Sequence, residues 1–160
     1  MNVLDILKYG HLTFTGTLEG VPQAEWETGG VCGVWSVKNI IAHLTSYELV
    51  VADVLRSFVN DEPTPHLETM GTLGPAEFND SEVAKRQAKS AADTLAEYQA
   101  AHAQIRTLAA QIPAETFRQN GTIPWYGEGY DLEDFIVYIN YAHKREHSAE
   151  INVFRDRLAR

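Results

Sequence analysis

Cysteine is nearly absent: Cys32 is the only one among 160 residues. A lone cysteine cannot close an intrachain disulfide, which excludes the cross-linked framework of a small secreted domain. Long apolar runs are missing too, and none approaches the roughly 20 residues that a membrane-spanning helix needs. The opening Met1-Asn2-Val3-Leu4-Asp5 has no basic segment followed by an apolar stretch, so no signal peptide is expected. Positive charge is scarce, with 13 Lys and Arg against 22 Asp and Glu and a net charge of −9. That balance repels phosphate backbones and anionic lipid, so nucleic acid and membrane are not expected as partners. A cytoplasmic protein is expected. Repeats and low-complexity linkers are also lacking, and a chain of this length suits one domain, residues 1–160, with its own core.

What the sequence does contain is helical periodicity. Val3, Leu7, Phe14 and Leu18 recur at helical spacing over about residues 2–19. Gly20, Pro22, Gly29, Gly30 and Gly33 then predict a loop. Ser36 is a good N-cap for a second helix over about 36–60, which places Ile40, His43, Tyr47, Val50 and Val54 along one face. Asn60, Asp61, Pro63 and Pro65 stop it, and a long loop is expected to follow. Asn79-Asp80-Ser81 offers caps for a third helix over about 80–111, rich in Ala, Gln, Lys and Glu. The aromatic loop Thr122–Tyr130 precedes Asp131, the cap of a fourth helix over about 131–158, with Asp134 favourable to its dipole. No convincing strand pattern appears. The expected fold is an all-α four-helix bundle whose long middle loops permit a crossover connection. The alternative is a mixed fold with a short hairpin around Val31–Trp35.

Six histidines are present, and three have informative spacing. His143 and His147 lie four residues apart on the fourth helix, so their Cβ atoms share one face at roughly 6 Å. Two imidazoles so placed can converge on one metal at metal–nitrogen distances of about 2.0–2.1 Å. Alone, such a pair is equally compatible with solvated side chains. His43 adds a third imidazole from an inward face; an inward histidine by itself is more often hydrogen-bonded to a core neighbour. Together the three make a facial N₃ set with an open position, the arrangement of a catalytic rather than a purely structural metal. Imidazole ligands suit Zn²⁺ and Ni²⁺ better than Mg²⁺ or Ca²⁺, and affinity is expected to fall as pH drops through about 6.5. His11 is a pocket or supporting candidate, whereas His66 and His102 read as solvated or locally bonded. Tyr47, one turn beyond His43, and Glu150, three residues beyond His147, are candidates for proton transfer or ligand support. The competing readings are a core aromatic and a surface carboxylate.

Trp35-Ser36-Val37-Lys38-Asn39-Ile40-Ile41-Ala42-His43-Leu44, with His143-Lys144-Arg145-Glu146-His147 one hundred residues later, resembles the DinB/YfiT-like family of metal-dependent proteins. The resemblance extends over essentially the whole chain in helix order and loop position. It implies an up-down-down-up bundle and a three-histidine site, His43, His143 and His147, for nickel, zinc or a similar ion. It also implies a homodimer and, from some relatives, transfer or isomerisation with a low-molecular-weight thiol. The loop Trp125-Tyr126-Gly127-Glu128-Gly129-Tyr130 falls outside the family pattern, so no particular substrate carries over.

Three functional readings follow. The first is a metal-dependent enzyme, a thiol-dependent transferase or a hydrolase, acting on a small molecule. The second arises because residues 143–147 also spell H-x-x-E-H, the inverted zinc-protease motif. It is set aside because the sequence ends soon after His147, before a distant downstream carboxylate ligand, and because His43 supplies a third ligand without one. The third is a non-catalytic small-molecule-binding or stress-protection protein with a structural metal or none. Trp35, Trp125, Tyr126 and Tyr130 would then line an apolar pocket.

Overall fold

Polar side chains at the helix starts decide where this chain becomes helical. In the computed structural model, which describes residues 2–60 and 62–159, the Asn2 side chain accepts from the Asp5 N–H at 2.9 Å and opens α1, Val3–Glu19. Ser36 and Asn39 form a reciprocal capping box: the Ser36 hydroxyl accepts from Asn39 N–H, and the Asn39 side chain accepts from Ser36 N–H. From that cap α2 runs over Val37–Ser57 and ends three residues before the expected Asn60.

The stretch expected as a long loop is instead helical. It forms α3, Pro65–Leu73, and α4, Pro75–Lys85, each with proline in its first turn, where the missing N–H costs nothing. Gly74 separates them at φ +77°, a conformation that only glycine adopts readily. The N-cap residue of α3, Thr64, makes no side-chain cap hydrogen bond. The buried carboxylate of Asp53, from α2, caps the helix across space, accepting from His66 N–H at 2.6 Å and Leu67 N–H at 3.1 Å.

The expected third helix over 80–111 is also corrected. The chain breaks at Arg86–Ser90, and α5 occupies Ala91–Ala109. Ser90 accepts from Asp93 N–H at 3.0 Å and so starts a new helix inside a run of helix formers. Arg86 braces the corner by reaching Glu82 before it and Glu97 after it.

Asp131 and Asp134 form the last capping box, at the start of α6, Leu132–Ile136. Val137–Ala142 winds as a π-helix, and α7 continues over His143–Leu158. The expected 131–158 helix is therefore one rod with a π segment ahead of the histidine pair. Such segments are rare and concentrate at functional sites. The alternative hairpin reduces to an isolated antiparallel bridge between Cys32 and Trp35, and no strand occurs among the described residues. The fold is all-α.

Helix α2 packs along α5, α1 along α7, and α3 and α4 cover α2. Two apolar clusters form the core. One joins Leu7, Leu55, Ile105 and Leu132; the other joins Phe14, Ile40, Tyr98 and Phe154. Fully buried side chains such as Leu7, Phe14 and Ile40 each contribute about 1.5–3 kcal/mol relative to exposure. Among the described residues no helix is long and apolar enough to cross a membrane.

Candidate metal centre

His43 follows two buried isoleucines on α2, and that face turns its ring inward, leaving it 2 % exposed. His143 and His147 lie one turn apart on α7, across from it. Their Nε2 atoms converge: His43 to His143 is 2.9 Å, and His143 to His147 is 3.0 Å. Two nitrogens bound to one ion at about 2.0–2.1 Å, with ligand angles from octahedral to tetrahedral, would lie about 2.9–3.4 Å apart. The observed spacing fits.

The hydrogen-bond count also fits. A neutral imidazole nitrogen carries either one hydrogen or one lone pair, so His143 Nε2 cannot satisfy two close neighbours at once. His147 Nδ1 is 2.7 Å from the Glu150 carboxylate, which takes its hydrogen and leaves Nε2 as a bare lone pair. With a backbone hydrogen bond at Ile139 taken by His143, His143 and His147 both present Nε2 lone pairs 3.0 Å apart, a poor hydrogen-bonded pair. His43 Nε2 joins them in a set that could hold a metal.

The electrostatics keep His43 and His143 unprotonated. Burial, then the His143 and His147 rings, push His43 down to about 2. Burial and the His147 ring lower His143 to about 4, against an opposing backbone hydrogen bond at Ile139. Proton competition for these two ligands therefore sits below the ordinary histidine range near 6.5, lower than the sequence alone suggested.

The two accessory candidates are both adjacent. The Tyr47 ring packs edge-on against His43 and His143, with centroids 4.9 Å and 4.5 Å away. Its hydroxyl, however, donates to Asn79 Oδ1 at 3.1 Å, and burial raises its pKa. Glu150 is the carboxylate that orients His147, the usual partner of a ligating imidazole. On the other side, Trp35 lies against His43 with centroids 4.9 Å apart. Cys32 is next to Glu150; burial and that carboxylate raise its thiol pKa.

His11, His66 and His102 lie outside the triad. His66 is locally bonded to Asp53, as expected. His102 is not solvated: it is buried on α5, with Nδ1 3.2 Å from Glu48 and its ring stacked on His11 at 4.0 Å. Glu48 also meets Lys144 and Asn140, so a second polar cluster links α2, α5, the π segment and α7. Sequence reasoning missed Glu48 and Lys144. The available signal was a carboxylate within the apolar Leu44–Val51 stretch and the inward line Asn140, Lys144, Ser148, Ile151.

Of the four aromatic residues proposed to line one apolar pocket, Trp125, Tyr126 and Tyr130 cluster together and Trp35 stands apart. Trp35 is at the triad, whereas Trp125 and Tyr126 pack on Phe135 and Tyr130 on Tyr126. The cavity that does border the triad, of about 390 Å³, includes Tyr47 and His143 in its wall.

The sequence profile of the DinB superfamily matches residues 11–151. This chain belongs to the DinB superfamily. The matched span contains His43, His143 and His147, and proteins of this superfamily generally bind metal. No curated protein and no solved structure gives a significant match to the chain.

Proposed function

We propose that this DinB protein is a metal-dependent enzyme acting on a small molecule, with His43, His143 and His147 holding one Ni²⁺ or Zn²⁺. The convergence of three imidazole Nε2 atoms beside a cavity carries the proposal. The ion would supply Lewis acidity, making water or a thiol acidic enough to yield a nucleophile near neutral pH. Glu150 fixes the His147 tautomer and ring orientation through Nδ1. Tyr47 walls the site, and it acts in proton transfer only after its hydroxyl leaves Asn79. Trp35 closes the His43 side against water.

A thiol-dependent transfer or a hydrolysis is the reaction class proposed, with a low-molecular-weight thiol as cosubstrate in the first case. The chain directions support a single-domain four-helix bundle, up-down-down-up with a crossover. Helix α1 and the α6–α7 rod run from the Leu7–Leu132 cluster toward the Phe14–Phe154 cluster, while α2 and α5 run the opposite way. A homodimer is proposed from the family resemblance and cytoplasmic residence from the single free cysteine. The test is a turnover screen of Zn²⁺- and Ni²⁺-loaded protein with thiol cosubstrates and hydrolysable esters. Activity in the wild type and loss in His43→Ala support the reading. Full metal loading with no turnover across both screens would favour a binding protein instead.

A further inference from the structure

The cavity beside the triad differs in charge from a typical site for an acidic metabolite. Its wall includes Tyr47, Met70, Pro75, Tyr138, Ile139 and Glu146, and its volume of about 390 Å³ lies at the small end of ligand sites. Among the described residues, Glu146 is the only carboxylate or cationic side chain in that wall. It lies three residues after His143, on the same face of α7, and makes no ion pair among the described residues, whereas Glu150 is taken by His147. The adjacent cations are directed elsewhere. Lys144 is buried against Glu48, and Arg145 lies over the Tyr141 ring. The remaining wall is apolar or aromatic, and a phenol ring attracts a cation placed over its face.

We propose that this cavity takes an apolar molecule bearing an ammonium group, with Glu146 as its counter-charge and the Tyr47 and Tyr138 rings as its walls. The proposal rests on the reading of the cavity as the substrate pocket of the metal site. It narrows the substrate class: a cosubstrate thiol carrying an amine fits, while one whose only charges are carboxylates finds no side-chain cation in the wall to pair with. Met70 and Pro75 come from α3 and α4, so the two helices that replace the expected loop help shape this selectivity.

Three probes of one size separate the charge contributions: phenethylamine, phenethyl alcohol and hydrocinnamate. Their binding is measured by NMR titration of the as-purified protein and again after chelation, which removes any attraction of a metal for the carboxylate. After chelation, phenethylamine should bind about tenfold tighter than the other two. Glu146→Gln should erase that preference, and Glu146→Lys should reverse it toward hydrocinnamate. Equal or tighter hydrocinnamate binding by the chelated wild type overturns the proposal. So does an amine preference that survives Glu146→Gln, or no binding of any probe. Metal content measured on the same as-purified samples keeps the two claims apart. Bound metal without amine preference defeats this proposal alone; amine preference without bound metal defeats the metal reading alone.

Discussion

Two polar clusters bridge the same pair of rods, α2 and α6–α7, and they are built on opposite principles. In the first, Glu48 accepts from Lys144 and Asn140 and is 3.2 Å from His102, so a buried anion is surrounded by a cation and hydrogen-bonding groups. Burial raises its carboxyl pKa, but Lys144 and His102 outweigh burial and hold it at about 2. In the second cluster, three like groups face one another, and no carboxylate meets their Nε2 atoms. Each cluster holds one buried imidazole nitrogen without a hydrogen-bond partner among the described residues, Nε2 of His102 in the first and Nδ1 of His43 in the second. In the first cluster the buried charges of Glu48 and Lys144 are paired with each other. The second has no charge pair and brings three imidazole nitrogens together as a candidate ligand set, and that contrast distinguishes the two clusters more clearly than burial does, because both are buried.

Breaking the charge-paired cluster should have the largest effect. Glu48→Gln or Lys144→Met leaves one buried charge unpaired and should cost about 3–5 kcal/mol of stability. The double variant, which removes both charges, should recover much of that loss. Urea unfolding checks this, and a single variant costing under about 1 kcal/mol would show that the cluster is not a satisfied ion pair.

The triad should respond to metal instead. With free Zn²⁺ at one hundred times its Kd, the wild type should gain about 2.7 kcal/mol, and His43→Ala, His143→Ala and His147→Ala should gain almost nothing. Thermal melts with and without Zn²⁺ read this directly. An equal gain in all four proteins would mean that the ion binds elsewhere.

A smaller effect is expected one bond further out. Glu150→Ala removes the acceptor on His147 Nδ1 and should weaken metal binding about 10–100-fold, whereas His66→Ala should leave it unchanged. Competition with a chelating indicator measures both. Unchanged affinity in Glu150→Ala would make the contact incidental.

The smallest effect is the pH dependence of the metal-free protein. His11, depressed by burial and His102, and His143, depressed by burial and His147, both titrate at about 4 in the folded state. Their unfolded values lie near 6.5, so between those limits the unfolded chain binds more protons and stability falls with falling pH. Glu48 adds a second decline: its folded value of about 2 is below the unfolded carboxyl range, so its contribution, present above about 4.5, is lost on further acidification. Unfolding midpoints between pH 7 and pH 4 should therefore decrease steadily, and a flat profile would contradict the neutral burial of these histidines.

Much of this contrast was legible in the sequence, and the illegible part has physical causes. Ser36, Asp131 and the His143–His147 spacing are local signals, since a cap or an i, i+4 pair needs only its own helix, and the structure contains all three. The inward face holding Ile40 and His43 is likewise a matter of period. The break at Arg86–Ser90 was missed because a Ser90 cap competes with strong helix formers on both sides. Helix α3 was missed because its cap, Asp53, comes from another helix. His102 read as solvated or locally bonded and Lys144 drew no reading, because burying a charge or an imidazole depends on a partner distant in sequence, here Glu48. The π segment left no pattern to read, for its apolar residues keep ordinary helical spacing.

The central claim is tested most directly by the metal content of protein purified without a histidine tag, measured by inductively coupled plasma mass spectrometry. The account predicts close to one equivalent of Zn²⁺ or Ni²⁺ per chain in the wild type, and loss of most of it in each of His43→Ala, His143→Ala and His147→Ala. Wild type that holds no divalent metal even after incubation with Zn²⁺ and Ni²⁺, or three alanine variants with full occupancy, would contradict it.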